Sequence, residues 1–210
     1  MEKLKKIFEK IPASYFAFIG LIFFFIGLIP AILVHPSFNF LVTHISYLGT
    51  PTNSLHIFFN IFWFITAVFI IIFLLGFTLY LQNKEISSKS TWIACSFGIL
   101  SAIGIMGMAI FNSDYIYLVH LLFELVFFIF GILYLFLYTY LELKSSEFST
   151  IQALFNFIVA LFFLLYLVLL ILNRVIPGIA PEAQSLTEWL FLFANLFWFF
   201  ENGLYMLIKK

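Results

Sequence analysis

Charge is scarce in these 210 residues: Asp, Glu, Lys and Arg make up 10% of the chain, against about a quarter in an ordinary soluble domain. So few charged groups cannot cover a water-facing surface, which excludes a soluble globular protein. The formal net charge is zero and no long run of Lys or Arg is present, so no nucleic acid is expected as a partner. One cysteine, Cys95, cannot close an internal disulfide, and its apolar surroundings suit a small buried thiol. Also missing are the HxxxH and HExxH pairs of helical zinc sites and the GxSxG turn of serine hydrolases.

What the chain has instead is 64% hydrophobic residues, 32 of its residues being Phe. Scattered aromatics are expected on the lipid-facing sides of membrane spans, so the Phe count alone implies no special role. A hydrocarbon core about 30 Å thick takes roughly 20 helical residues. Six apolar runs of about that length stand between polar breaks, at residues 14–34, 55–81, 91–111, 117–143, 151–172 and 186–208. The breaks contain turn chemistry: Pro36 and the TPTN stretch, NKEISSKS, KSSE, and Pro177, Gly178 and Pro181. Uninterrupted runs such as FITAVFIIIFLLGF contradict the alternation of outer-membrane strands. The expected fold is therefore all-α, a polytopic membrane bundle of six transmembrane helices forming one membrane domain over residues 1–210.

Basic residues near span ends orient such a bundle, because they favour the cytoplasmic side. Lys3, Lys5, Lys6, Lys10, Lys84, Lys89, Lys144, Lys209 and Lys210 all fall on the side of the N-terminus, leaving only Arg174 opposite. Both termini are thus expected in the cytoplasm, with segments 35–54, 112–116 and 173–185 outside. Trp92, Tyr80, Tyr138 and Tyr140 are expected as inner aromatic anchors, and Tyr115, Tyr117 and Trp189 as outer ones. The basic start of the chain precedes an apolar run too long for a signal peptide core, and reads as an uncleaved first helix. Its first ten residues suit a short amphipathic helix on the inner membrane surface. Comparison of the first three spans with the last three gives no internal repeat, which weakens a transporter reading. Small residues recur at packing distance, Gly27 with Ala31 and Ala94 with Gly98 and Ala102, and are expected to pack helices within the bundle.

The polar residues are distributed unevenly. All four His, at 35, 44, 56 and 120, fall on the outer half, as do Asp114, Glu124, Glu182 and Glu188. His56 with Asn60, and His120 with Glu124, are four apart and share a helix face. Glu188, Asn195 and Asn202 are spaced by seven and should face the bundle interior. Glu124 lies inside an apolar helix, where a charge is costly, and needs a partner; His120 or a His of the outer loop is the expected one. These residues suggest an outward-facing pocket of Ser46, Asn60, His120, Glu124 and Glu188 that binds a lipid headgroup or small ligand. An alternative is a metal-dependent hydrolase or lipid-remodelling enzyme with zinc on His44, His120 and Glu124. Ser46 as nucleophile with His120 as base, and a proton relay through His120, Glu124 and Glu188 in a small transporter, are further alternatives.

The segments HISYLGTPTNSLHIFFN and GIMGMAIFNSDYIYLVHLLFELVFF make the chain similar to the domain of unknown function 998 family, six-helix membrane proteins of prokaryotes. The positions that carry the resemblance are Ser46, Gly49, Asn60, Gly104, Gly107 and His120. Tyr47 departs from it where an acidic residue is frequent, and FNSDY departs from a usual Phe-Pro ending. The resemblance implies a six-helix fold in a prokaryotic plasma membrane with membrane lipids as neighbours, and no particular reaction.

Overall fold

A computed structural model describes residues 2–209; Lys210, counted above among the basic residues, lies outside the described residues. Eight helices are found among the described residues: α1 (Glu2–Lys10), α2 (Ala13–Val34), α3 (Ile45–Leu48), α4 (His56–Asn83), α5 (Ser88–Ile110), α6 (Tyr117–Leu143), α7 (Thr150–Val175) and α8 (Pro181–Ile208). Six of them, α2 and α4 to α8, are long and apolar enough to cross a membrane. Helix is the only open-ended structure that can do so, since lipid offers no partner to a free backbone group.

The helix ends refine the expected spans in ways local chemistry explains. The Ser87 side chain accepts a hydrogen bond from the Ser90 amide, so α5 starts at Ser88, three residues before the apolar run. Ser149 caps α7 in the same way through Gln152. The sixth span starts at Pro181, five residues before its expected start, because proline suits the first turn of a helix and does not end the preceding loop here. Within the loop between α2 and α4, the four-residue α3 is too short an element for hydrophobic periodicity to reveal.

Each long helix packs on the next in sequence, and α8 closes the ring against α2. The expected small-residue contacts are made inside this ring. A Cβ on Gly27 would stand 2.6 Å from Cβ of Phe62 on α4, and one on Gly98 would stand 2.7 Å from Leu74. Ala31, Ala94 and Ala102 are buried beside them. Outside the ring, α1 sets Phe8 edge-on against Phe16, with ring centroids 6.3 Å apart.

The aromatic residues depart from the lipid-facing expectation. Trp198, Tyr138, Phe59, Phe73, Phe77, Phe128 and Phe163 are among the largest fully buried side chains. Trp198 packs on Phe73, Phe77, Tyr134 and Tyr138, with centroids 5.6 to 6.3 Å apart. Lipid tails remove the usual hydrophobic drive for helix association, so close van der Waals packing must hold the ring, and flat rings supply much of it. Tyr138 and Trp189, expected as membrane anchors, are likewise buried, whereas Tyr115, Tyr117 and Tyr140 are exposed.

Candidate functional site: a polar cavity under the 35–54 loop

At the end of the bundle where α2 finishes and α4, α6 and α8 begin, the 35–54 loop folds back over the helices. Asn53 fixes it from one side by donating to the Ala31 carbonyl at 2.8 Å, and its own side-chain oxygen accepts from the Leu55 amide. The indole of Trp189 donates to the Thr43 carbonyl at 2.9 Å, and the Ser185 hydroxyl donates to the Phe40 carbonyl at 3.2 Å. This loop is therefore tied to both α2 and α8, and it covers a cavity.

Ser46, Asn60, His120, Glu124 and Glu188 all line that cavity, along with Gly49, Trp63, Asn112 and several phenylalanines. The space open to the centres of water molecules is about 30 Å³, room for a few waters or one small polar group. Five residues spread over 143 positions of sequence thus meet at one place, brought there by α3, α4, α6 and α8.

Their partners differ from those the spacing suggested. Glu124 accepts a hydrogen bond from the Tyr166 hydroxyl of α7 at 2.8 Å, in place of a histidine. His120 turns its Nδ1 to the Phe111 carbonyl at 2.7 Å, leaving Nε2 as its second polar atom. Glu188 is paired with His44 of the covering loop, and both side chains are largely buried. Burial works against a proton on His44, but the hydrogen bond and charge of Glu188, with the charge of Glu124, outweigh it and the opposing Arg174. His44 therefore keeps its proton above its ordinary value of 6.5.

Two amides converge on one backbone oxygen. Asn60 donates to the Gly49 carbonyl at 3.0 Å and Asn112 donates to the same oxygen at 2.6 Å. Gly49 has an ordinary backbone conformation, so its requirement for glycine is spatial: any Cβ would collide with the Asn60 amide. His56 shares a helix face with Asn60 but bonds the Asn53 carbonyl at 2.8 Å. Asn60, Ala109 and Asn112 also line a second depression of about 560 Å³ on the outer surface between α4 and α5. They form the wall between that apolar groove and the cavity.

Among the described residues, no three His, Cys, Asp or Glu side chains are grouped so as to hold a metal ion. Of the set His44, His120 and Glu124, each bonds a different partner: Glu188, the Phe111 carbonyl and Tyr166 respectively. Ser46 lies in the cavity wall, and among the described residues no hydrogen bond joins it to His120.

Sequence spacing does place Glu188, Asn195 and Asn202 on the inward face of α8, where all three are buried. Asn195 accepts from the Tyr134 hydroxyl at 2.8 Å, and Asn202 donates to the Trp198 carbonyl at 3.0 Å. Near the opposite end of the bundle lies Glu142, a wholly buried carboxyl that helical spacing does not single out. Neither oxygen of Glu142 has a hydrogen-bond partner, and the Nδ2 of nearby Asn156 is also unpartnered. No spacing signal marks Glu142, because it stands next to the polar end of its span and looks like a headgroup residue.

No curated protein and no solved structure matches the chain. A family model described as a protein of unknown function, DUF998, matches residues 18–200, which include every residue of the cavity. By that match over most of its length, this six-helix chain belongs to the DUF998 family.

Proposed function

We propose that this multi-pass membrane protein uses the outer cavity to bind a small polar group presented from the membrane, the headgroup of a lipid or a small ligand of like chemistry. The observation that carries the reading is the convergence of Ser46, Asn60, His120, Glu124 and Glu188 on one cavity. Two carboxyl groups in that wall favour a ligand rich in hydrogen-bond donors, an amine above all, and disfavour a bare phosphate. The space of about 30 Å³ fits such a group and not a whole lipid. The apolar groove between α4 and α5 supports a route in which acyl chains lie outside while the headgroup passes the Asn60 and Asn112 wall. The excess of Lys at the opposite end supports a cavity that faces outward from a prokaryotic plasma membrane, with both termini in the cytoplasm.

The test is native mass spectrometry of the detergent-purified chain offered phosphatidylethanolamine and phosphatidylcholine in equal amounts. Retention of the aminolipid by the natural chain, reduced about tenfold or more in Glu124→Gln and Glu188→Gln, is the expected result, since a charge-assisted contact contributes about 1.5–3 kcal/mol. Equal retention of both lipids, unaltered by either substitution, would refute the reading.

A further inference from the structure

At the other end of the bundle a groove of about 770 Å³ opens between α1, the start of α2 and the ends of α4 and α8. Its volume is that of a pocket for a substantial ligand, and its chemistry is the reverse of the outer cavity. Three ammonium groups border it, from Lys5, Lys84 and Lys209, against one carboxylate, Glu9. Lys84 and Lys209 cap the C-terminal ends of α4 and α8, where free carbonyls favour cations. Lys84 is also paired with Glu147 at 3.3 Å, but no carboxylate of the described residues pairs with Lys5 or Lys209.

Neutral hydrogen-bonding groups complete the wall. Asn83 and Tyr80 line the groove, and the Tyr80 hydroxyl reaches the Lys209 carbonyl only at 3.5 Å. Beside it, Ser14 is 1% exposed and its hydroxyl has no partner among the described residues, an uncommon state for a buried polar group. The floor is apolar, from Phe8, Leu79 and Met206. Ile7 on α1 and Ile11 just after its end are about half exposed, as suits a helix lying along a membrane surface.

We infer that this groove is a second binding site, which takes the phosphodiester headgroup of an anionic phospholipid from the leaflet on the lysine-rich side. The lysines attract the phosphate, Ser14 and Asn83 supply donors, and the apolar floor receives the glycerol end of the chains. Charge complementarity selects this occupant. The leaflet that attracts lysine is the one whose surface is anionic, and each ammonium near it adds about fivefold in affinity.

The experiment offers the full chain, purified in detergent, equal amounts of phosphatidylglycerol and phosphatidylcholine, with bound lipid read by native mass spectrometry. Phosphatidylglycerol should be preferred. The triple variant Lys5→Gln, Lys84→Gln, Lys209→Gln should lose at least about tenfold of that preference. A control with the same loss of charge on the same side, Lys6→Gln, Lys89→Gln, Lys144→Gln, should keep it. Lys209→Glu alone, at an exposed helix end, gives the same reading if the triple variant melts early. No preference in the natural chain, or equal loss in both triple variants, would overturn the site in favour of none or of diffuse surface charge. Displacement of the lipid by an equal concentration of glycerol 3-phosphate would overturn the lipid assignment in favour of a soluble phosphate.

Discussion

His44 and Glu188 join the loop over the outer cavity to the last helix, and the pair is largely buried, so its contribution depends on both being charged. Removing His44 would leave a buried carboxylate alone, a loss on the order of 3 kcal/mol. The proton affinity of His44 is higher in the folded chain than in the unfolded one, so folding is favoured wherever that extra proton is bound. That stabilisation is full below pH about 6.5, the ordinary histidine value, and is lost as pH rises through the higher folded value. In thermal melts in detergent, the natural chain should therefore exceed His44→Ala by most at pH 6 and by progressively less above it. A gap that stays constant from pH 6 to 9 would show that the pair does not act through that proton. Tyr166, the partner of Glu124, is a residue no spacing could find, since it comes from α7, a helix with no residue in the cavity lining.

At the scale of elements, α5 and α6 approach each other closely at two glycines. A Cβ on Gly104 would lie 2.6 Å from the backbone nitrogen of Phe127 and 2.8 Å from the Phe123 carbonyl oxygen, so no side-chain rotation can make room. At Gly107 the ring of Phe123 occupies the place a Cβ would take. These two glycines let α6 come close enough to aim His120 and Glu124 into the cavity, which is how a helix contact controls the site. Gly104→Ala should cost about 1–3 kcal/mol as the helices are forced apart. Ile103→Ala, its lipid-facing neighbour, should change stability by no more than about 0.5 kcal/mol. Equal melting temperatures for the two variants would mean that the contact is not close in solution. The six spans were legible because their apolar runs are longer than any soluble helix needs; the larger shifts of their starts follow the Ser87 cap and Pro181, and α7 runs three residues past its expected end to Val175.

Across the whole molecule, the end that holds the polar cavity gathers carboxyl and imidazole groups while the other end gathers lysines, so the two ends carry opposite chemistry. The proposed orientation, with both termini in the cytoplasm, requires Tyr115→Cys to face the outside and Lys89→Cys the inside; both positions are exposed. In a Cys95→Ala background, a membrane-impermeant maleimide applied to intact cells should label the first and leave the second unlabelled. The reverse pattern would invert the bundle and move the donor-seeking cavity to the cytoplasmic leaflet. Cys95 itself is buried and free.

Composition and run length by themselves determined a helical membrane protein with six spans, because the hydrocarbon thickness leaves a chain so poor in charge no other arrangement. Helical spacing also determined that Glu188, Asn195 and Asn202 turn inward, since a polar face on a long apolar helix must avoid lipid. Which residue partners which is set by the packing of the helices: Tyr166 for Glu124, His44 for Glu188, Phe111 for His120, and two asparagines for the Gly49 carbonyl. That tertiary packing also decided that the largest aromatics and Glu142 are inside. Those outcomes depend on the order of helices around the ring and on the fold of the 35–54 loop, long-range geometry that periodicity along a single chain does not encode.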